Sequence, residues 1–133
     1  ISLSQLSTYP EGTLGRSVAI FMKQHGFSIQ DKLESHDVFH VLTETGTTVP
    51  EEISMQYCLN GCGKKSIYSY FTIGLGTILI PEKWQLYKSA YNEGKKMVNI
   101  SEWDLKAMLT TPVSTLKRRM WKRNLGNYKP VVQ

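Results

Sequence analysis

Along most of this chain apolar side chains recur at intervals of three and four, the spacing that lines one face of a helix. Val18, Phe21 and Met22 form one such stripe. Thr13 precedes it as a capping hydroxyl and Gly26 follows it as a left-handed stop, which predicts a helix running to His25. A second helix is expected from Leu33 to Glu44, with its stop at Gly46. The stretch 46-GTTVPEE-52 announces a third. Thr48 is its cap, Pro50 follows soon after, and Glu51 lies three past Thr48, the spacing of a capping box. This helix is expected to reach about Asn60 and to end at Gly61 and Gly63.

The run 66-SIYSYFTIGLGTILI-80 is the most apolar part of the chain. Periodicity alone leaves helix or strand open for such a run; its helical neighbours favour helix. Pro81 opens 81-PEKWQLYKSAYNEGKKM-97, a helix with Trp84, Tyr87 and Tyr91 as its stripe. Ser101 with Asp104 three on suggests another capped start for a helix over 101–109. Thr111 and Pro112 open the last, over 112–123, with Val113, Leu116 and Met120 facing inward. No hairpin turn separates alternating runs, and no repeat is visible. The expected class is mainly α, a multi-helix bundle forming a single domain over residues 1–133.

Composition narrows this little. A hydrophobic share of 41% supports one core and excludes a disordered chain. The formal net charge of +5 favours anionic partners: phosphates, anionic lipid heads or nucleic acid. Nucleic acid is set aside because no recognition motif accompanies the basic residues. Two cysteines, Cys58 and Cys62, are too few for a disulfide scaffold, so buried or idle thiols in a reducing compartment are expected. The chain begins at Ile1 rather than Met, which suggests a cut-back N-terminus, and no signal peptide is visible. The longest apolar run, 73-IGLGTILI-80, falls short of the ~20 residues that span a bilayer. A soluble or peripheral protein is expected.

The candidate chemistry lies in 36-HDVFH-40. Two of the three histidines sit here, with an aspartate between them. On a helix, positions four apart differ by about 40° in direction, so His36 and His40 project together. Imidazole binds metal near neutral pH without first losing a proton. Asp37, three before His40, can ligate or can accept the N–H of a ligating imidazole. A further ligand should come from the next element, where Glu51 and Glu52 open a helix after a return turn. Nitrogen and carboxylate donors together suit zinc, iron or manganese, and admit magnesium with waters. A bare pair of histidines at this spacing is more often structural. The internal carboxylate and the acid beyond the turn shift that balance toward metal.

The spacing HD-x2-H-x11-E, read as His36, Asp37, His40 and Glu52, resembles the signature of the Coq-four family of coenzyme Q (ubiquinone) biosynthesis. The block 10-PEGTLG-15 resembles that family's Pro-x-Gly-Thr-Leu-Gly stretch upstream of the histidines. The resemblance covers roughly the first 60 residues; the C-terminal half matches less well, and the chain is shorter than mitochondrial members. It implies a mainly helical protein peripherally attached to a membrane, either cytoplasmic or on a membrane's inner face. It implies a metal, usually assigned zinc, at His36, Asp37, His40 and Glu52. It implies a role in oxidative decarboxylation of a prenylated ring precursor, or in organising the other quinone-biosynthesis proteins.

It also implies an apolar groove for an isoprenoid tail, for which Tyr70, Phe71, Leu75 and Leu79 are candidates; by composition alone the same run reads as core. The basic cluster Lys117, Arg118, Arg119, Lys122 and Arg123 offers Arg118, Arg119 and Lys122 to a phosphate or an anionic lipid head. A solvated helix face explains that cluster equally well. Exposed apolar faces would fit a homodimer. Two rival functions stand beside the main one: a lipid-binding scaffold with a structural metal, and a small metal-dependent phosphohydrolase. The second is weakened because the only other histidine is His25.

Overall fold

Ser2, Thr13, Thr48 and Ser66 each turn a side-chain oxygen onto a backbone N–H three residues on. Each thereby satisfies one of the four donors that a helix start leaves unpaired. The computed structural model describes residues 2–26 and 35–125. Its helices are α1 (Leu3–Leu6), α2 (Leu14–Gln24), α3 (Ser35–Thr43), α4 (Val49–Cys62), α5 (Ile67–Leu79), α6 (Trp84–Lys95) and α7 (Val113–Arg119). Among the described residues 3-10 turns and the isolated β-bridges Thr13–Pro112 and Met97–Trp121 accompany them, and no strand occurs. The class is all-α, as the pattern of capping and periodicity implies. The chain divides into two compact units: residues 1–44 with 104–118, and residues 45–103 with 119–133.

In the first unit, α2 packs against α1 and α3. Leu3, Leu6, Leu14, Val18, Met22, Val38, Leu42, Leu109 and Leu116 are buried almost completely. Thr13 caps α2 as expected, and Gly26 adopts a positive φ of 80° beyond its end. α3 stops at Thr43 rather than at Gly46, because Glu44 itself takes the left-handed conformation, φ 54°. The Glu44 carboxylate receives Lys117 Nζ at 2.7 Å. The expected start of this helix at Leu33 lies outside the described residues.

The expected helix over 101–109 does not form. Ile100–Glu102 is one 3-10 turn capped by Asn99, and residues 105–110 are turns. Trp103 is extended, ψ 141°, and breaks the run after that turn. Leu14 N–H donates to the Thr111 carbonyl and Gly15 N–H to the Leu109 carbonyl, both at 2.8 Å. These two carbonyls thereby accept from the start of α2. Gly15 sits so close that a Cβ would lie 2.8 Å from the Tyr9 ring.

In the second unit, α4 packs along α6 and against α5. Glycine sets these approaches. A Cβ on Gly94 would run into the Cys58 carbonyl, and one on Gly61 into the Tyr91 carbonyl. Gly61 therefore lies inside α4 instead of ending it. The stop falls to Gly63, φ 121°, with Lys64 N–H bonded to the Leu59 carbonyl at 2.9 Å. Tyr57 stacks on the buried Tyr87, and Ser69 donates to Gln56 Oε1 at 2.6 Å in the interior.

The expectation that the run 66–80 forms core is overturned. Its helix, α5, is seated on α4 through Gly76 against Ile53, while Ile67, Phe71 and Ile78 are 68–88% exposed. Tyr70, Leu75 and Leu79 are exposed as well, at 46–67%. Among the described residues no helix is long and apolar enough to cross a membrane.

The basic helix over 112–123 ends early as well. Met120 accepts from Val98 N–H, and Lys122 N–H donates to the Lys96 carbonyl, so the chain leaves α7 to pair with residues 96–98. Leu116 and Met120 are buried as expected.

Both thiols are buried and unlinked. Burial, then the neighbouring Cys62 and Glu93, pushes Cys58 up to about 12; burial raises Cys62 too. A thiol whose pKa is raised on folding contributes stability that is present below its ordinary value near 9.0 and lost as pH climbs toward about 12. The midpoint of urea denaturation should therefore be insensitive to this group up to pH ~9 and fall above it. Cys58→Ala should flatten that fall, and an alkylating reagent at neutral pH should leave Cys58 unmodified until the chain unfolds.

Candidate metal centre

α3 brings the motif to one side of a helix. His36 is half-buried, while Asp37 and His40 are 4% and 3% exposed. The rings of His36 and His40 stand edge to face with centroids 4.6 Å apart, as positions i and i+4 require. α2 supports them from the side. Phe21 lies nearly parallel to His40, 5.1 Å away and tilted by 20°. Phe21 also contacts the His25 ring, 4.4 Å away. His25 Nδ1–H donates to the Phe21 carbonyl at 2.8 Å, closing the end of α2. His25 is thus the helix-terminal residue that the pattern suggests.

The choice between Glu51 and Glu52 is decided by the turn. Glu51 Oε2 accepts from Gly46 N–H at 2.8 Å, and Oε1 accepts from the Thr48 hydroxyl at 2.7 Å. The carboxylate binds the loop 46–48, a variant of the expected capping box in which the acid reaches past the cap residue. Glu52, the next residue, is half-buried in the first turn of α4. His36, His40 and Glu52 each offer one ligand atom, and these atoms lie within 4.8 Å of one another. Asp37 is not in that trio.

Two imidazoles and a carboxylate suit a divalent ion. Bonds of about 2.0–2.2 Å to zinc put neighbouring donors roughly 3.4 Å apart around a tetrahedral ion. Small side-chain rotations would bring donors within 4.8 Å to that distance. The residues present fit the group.

Of the remaining candidates, Tyr70, Phe71, Leu75 and Leu79 lie on the exposed side of α5. Arg118 and Arg119 end α7, and Lys122 lies beyond the break that follows it, so the three do not share one continuous helix. The sequence reading missed Phe21 as a neighbour of the histidines. A signal was present: Phe21 and His25 stand four apart on one helix, a ring pair of the same spacing as His36 and His40.

No protein-family model and no curated protein matches this chain. Its structure is similar to a crystal structure from Nostoc punctiforme PCC 73102, a protein provisionally described as one of ubiquinone biosynthesis. The TM-score is 0.74 at 21% identity, over 91% of this chain and 68% of that one. At that identity the likeness establishes the fold.

Proposed function

We propose that this chain is a metal- and prenyl-lipid-binding protein of ubiquinone biosynthesis, of the Coq-four type, acting in oxidative decarboxylation of a prenylated ring precursor. The grouping of His36, His40 and Glu52 at the HD-x2-H-x11-E spacing carries the reading. The description of the Nostoc punctiforme protein supports the coarser part of it, a role in ubiquinone biosynthesis. A bound divalent ion supplies Lewis acidity toward a phenolate or carboxylate on the ring. His36, His40 and Glu52 would hold it, and Asp37 would complete the set as a fourth ligand or by accepting the N–H of a ligating imidazole. Phe21 holds the His40 ring in place. Tyr70, Phe71, Leu75 and Leu79 receive the isoprenoid tail at a membrane surface, and Arg118, Arg119 and Lys122 meet anionic groups.

The test is turnover. Metal-loaded protein, supplied with a prenylated hydroxybenzoate ring and oxygen, should release carbon dioxide, and His40→Ala should retain the lipid while losing turnover. Retained lipid with no turnover by either protein would replace the enzyme by a scaffold with a structural metal. Hydrolysis of a generic phosphoester would replace it by a phosphohydrolase.

A further inference from the structure

The chain that leaves α7 builds a recess of its own. Val98 N–H donates to the Met120 carbonyl at 2.7 Å, Lys122 N–H donates to the Lys96 carbonyl at 2.9 Å, and Met97 and Trp121 form an antiparallel bridge. This short ladder fixes residues 96–98 beside 120–122. Glu93, Lys96, Trp121, Lys122 and Arg123 then line a recess of about 350 Å³. That is within the range of roughly 300–1,000 Å³ typical of small-molecule sites.

The lining is specific in chemistry. Three cations face one carboxylate, so the recess favours a ligand with more than one negative charge. Arg123 lies over the Trp121 ring at 5.7 Å, and Lys96 Nζ is 3.3 Å from Glu93 Oε1. Both contacts hold cations beside an aromatic wall. Trp121 is half-buried, which leaves part of its ring accessible. An indole face is a platform for another planar ring, and its N–H donates only. Lysine and arginine supply point-charge and forked donors to phosphate oxygens. Glu93 can accept an N–H from a ring amine. A bare anion would need the cations and no aromatic wall; a purely apolar ring would need the wall and no cations.

We propose that this recess binds a nucleotide-type ligand, an aromatic ring carrying phosphate. The ring lies against Trp121, the phosphates meet Lys96, Lys122 and Arg123, and Glu93 favours rings that carry N–H donors. The site is independent of the metal reading, since none of its residues belongs to that group.

Adenosine diphosphate tests it, titrated into the full chain with the indole N–H resonances followed by NMR. Adenosine and inorganic pyrophosphate are titrated separately as the two halves. Adenosine diphosphate should saturate, at least about tenfold tighter than either half. Trp121→Ala should weaken it by about tenfold while leaving pyrophosphate unchanged, and Trp121→Phe should restore it. The Lys96→Gln, Lys122→Gln pair should weaken adenosine diphosphate and pyrophosphate alike, with a shallower dependence on salt. Two results would overturn the proposal. One is no saturation by adenosine diphosphate; the other is pyrophosphate binding as tightly and ignoring Trp121, the mark of a simple cation patch.

Discussion

Purified protein equilibrated with zinc is expected to hold about one ion per chain, and the His36→Ala, His40→Ala double variant none. Donor count sets this outcome. His36, His40 and Glu52 bring their ligand atoms within 4.8 Å, and the variant leaves one carboxylate of the three. Loss of an outer-shell partner already costs about 10–100-fold in metal affinity. Loss of two direct donors should exceed that range, and elemental analysis after dialysis reads it. Asp37→Asn refines the result. Asparagine keeps an oxygen that can accept an imidazole N–H but gives up the charge, so nearly full retention of metal would assign Asp37 to orienting an imidazole. Loss comparable to that of Glu52→Gln would assign it to the ion. If wild-type protein binds none of zinc, iron, manganese and magnesium, the histidines are structural and the proposed chemistry fails.

The second large effect concerns two glycines that look alike in the sequence. Gly94→Ala should destabilise the protein by about 3 kcal/mol, at the upper end of what overpacking costs. A Cβ there meets the Cys58 carbonyl, and backbone of α4 and α6 must part to admit it. Gly61→Ala should act in the same direction, against the Tyr91 carbonyl. Gly74→Ala should do the opposite. Nothing lies within 4 Å of its Cβ, and it sits in the middle of α5 on an exposed side. Relief of glycine's backbone entropy should stabilise by about 0.5–1 kcal/mol. Thermal unfolding checks both signs: a fall of about 10 °C for Gly94→Ala and a rise of a few degrees for Gly74→Ala. Equal shifts for the two would contradict the close crossing of α4 and α6.

The same pair shows where sequence reading succeeds and where it stops. Thr13, Gly26, Thr48 and Pro50 act within one turn of chain, and their helices begin and end nearly where those residues predict. The histidine spacing is equally local, so the meeting of His36 and His40 was legible. Gly61 failed as a stop because its role is set by Tyr91, on another helix. Residues 101–109 failed as a helix because Trp103 turns extended after the 3-10 turn, a break that the capping pattern does not announce. The run 66–80 was legible as a helix from its neighbours, but its burial was not. Hydrophobicity records what water rejects and does not say which surface receives it. Phe21 beside His40 was hidden for the same reason as Gly61: the contact joins two helices.

The bonds from Leu14 and Gly15 to Thr111 and Leu109 also bear on the order in which the chain is made. The first unit is discontinuous, residues 1–44 and 104–118. During synthesis the N–H groups at the start of α2 must stay hydrated until roughly ninety further residues have left the ribosome, and closing so long a loop is slow. Helix α4 contacts α5 and α6 over much shorter separations, and these can pack while the chain is still growing. The nascent histidine helix α3 therefore emerges early, but the unit that holds it waits for residues 104–118.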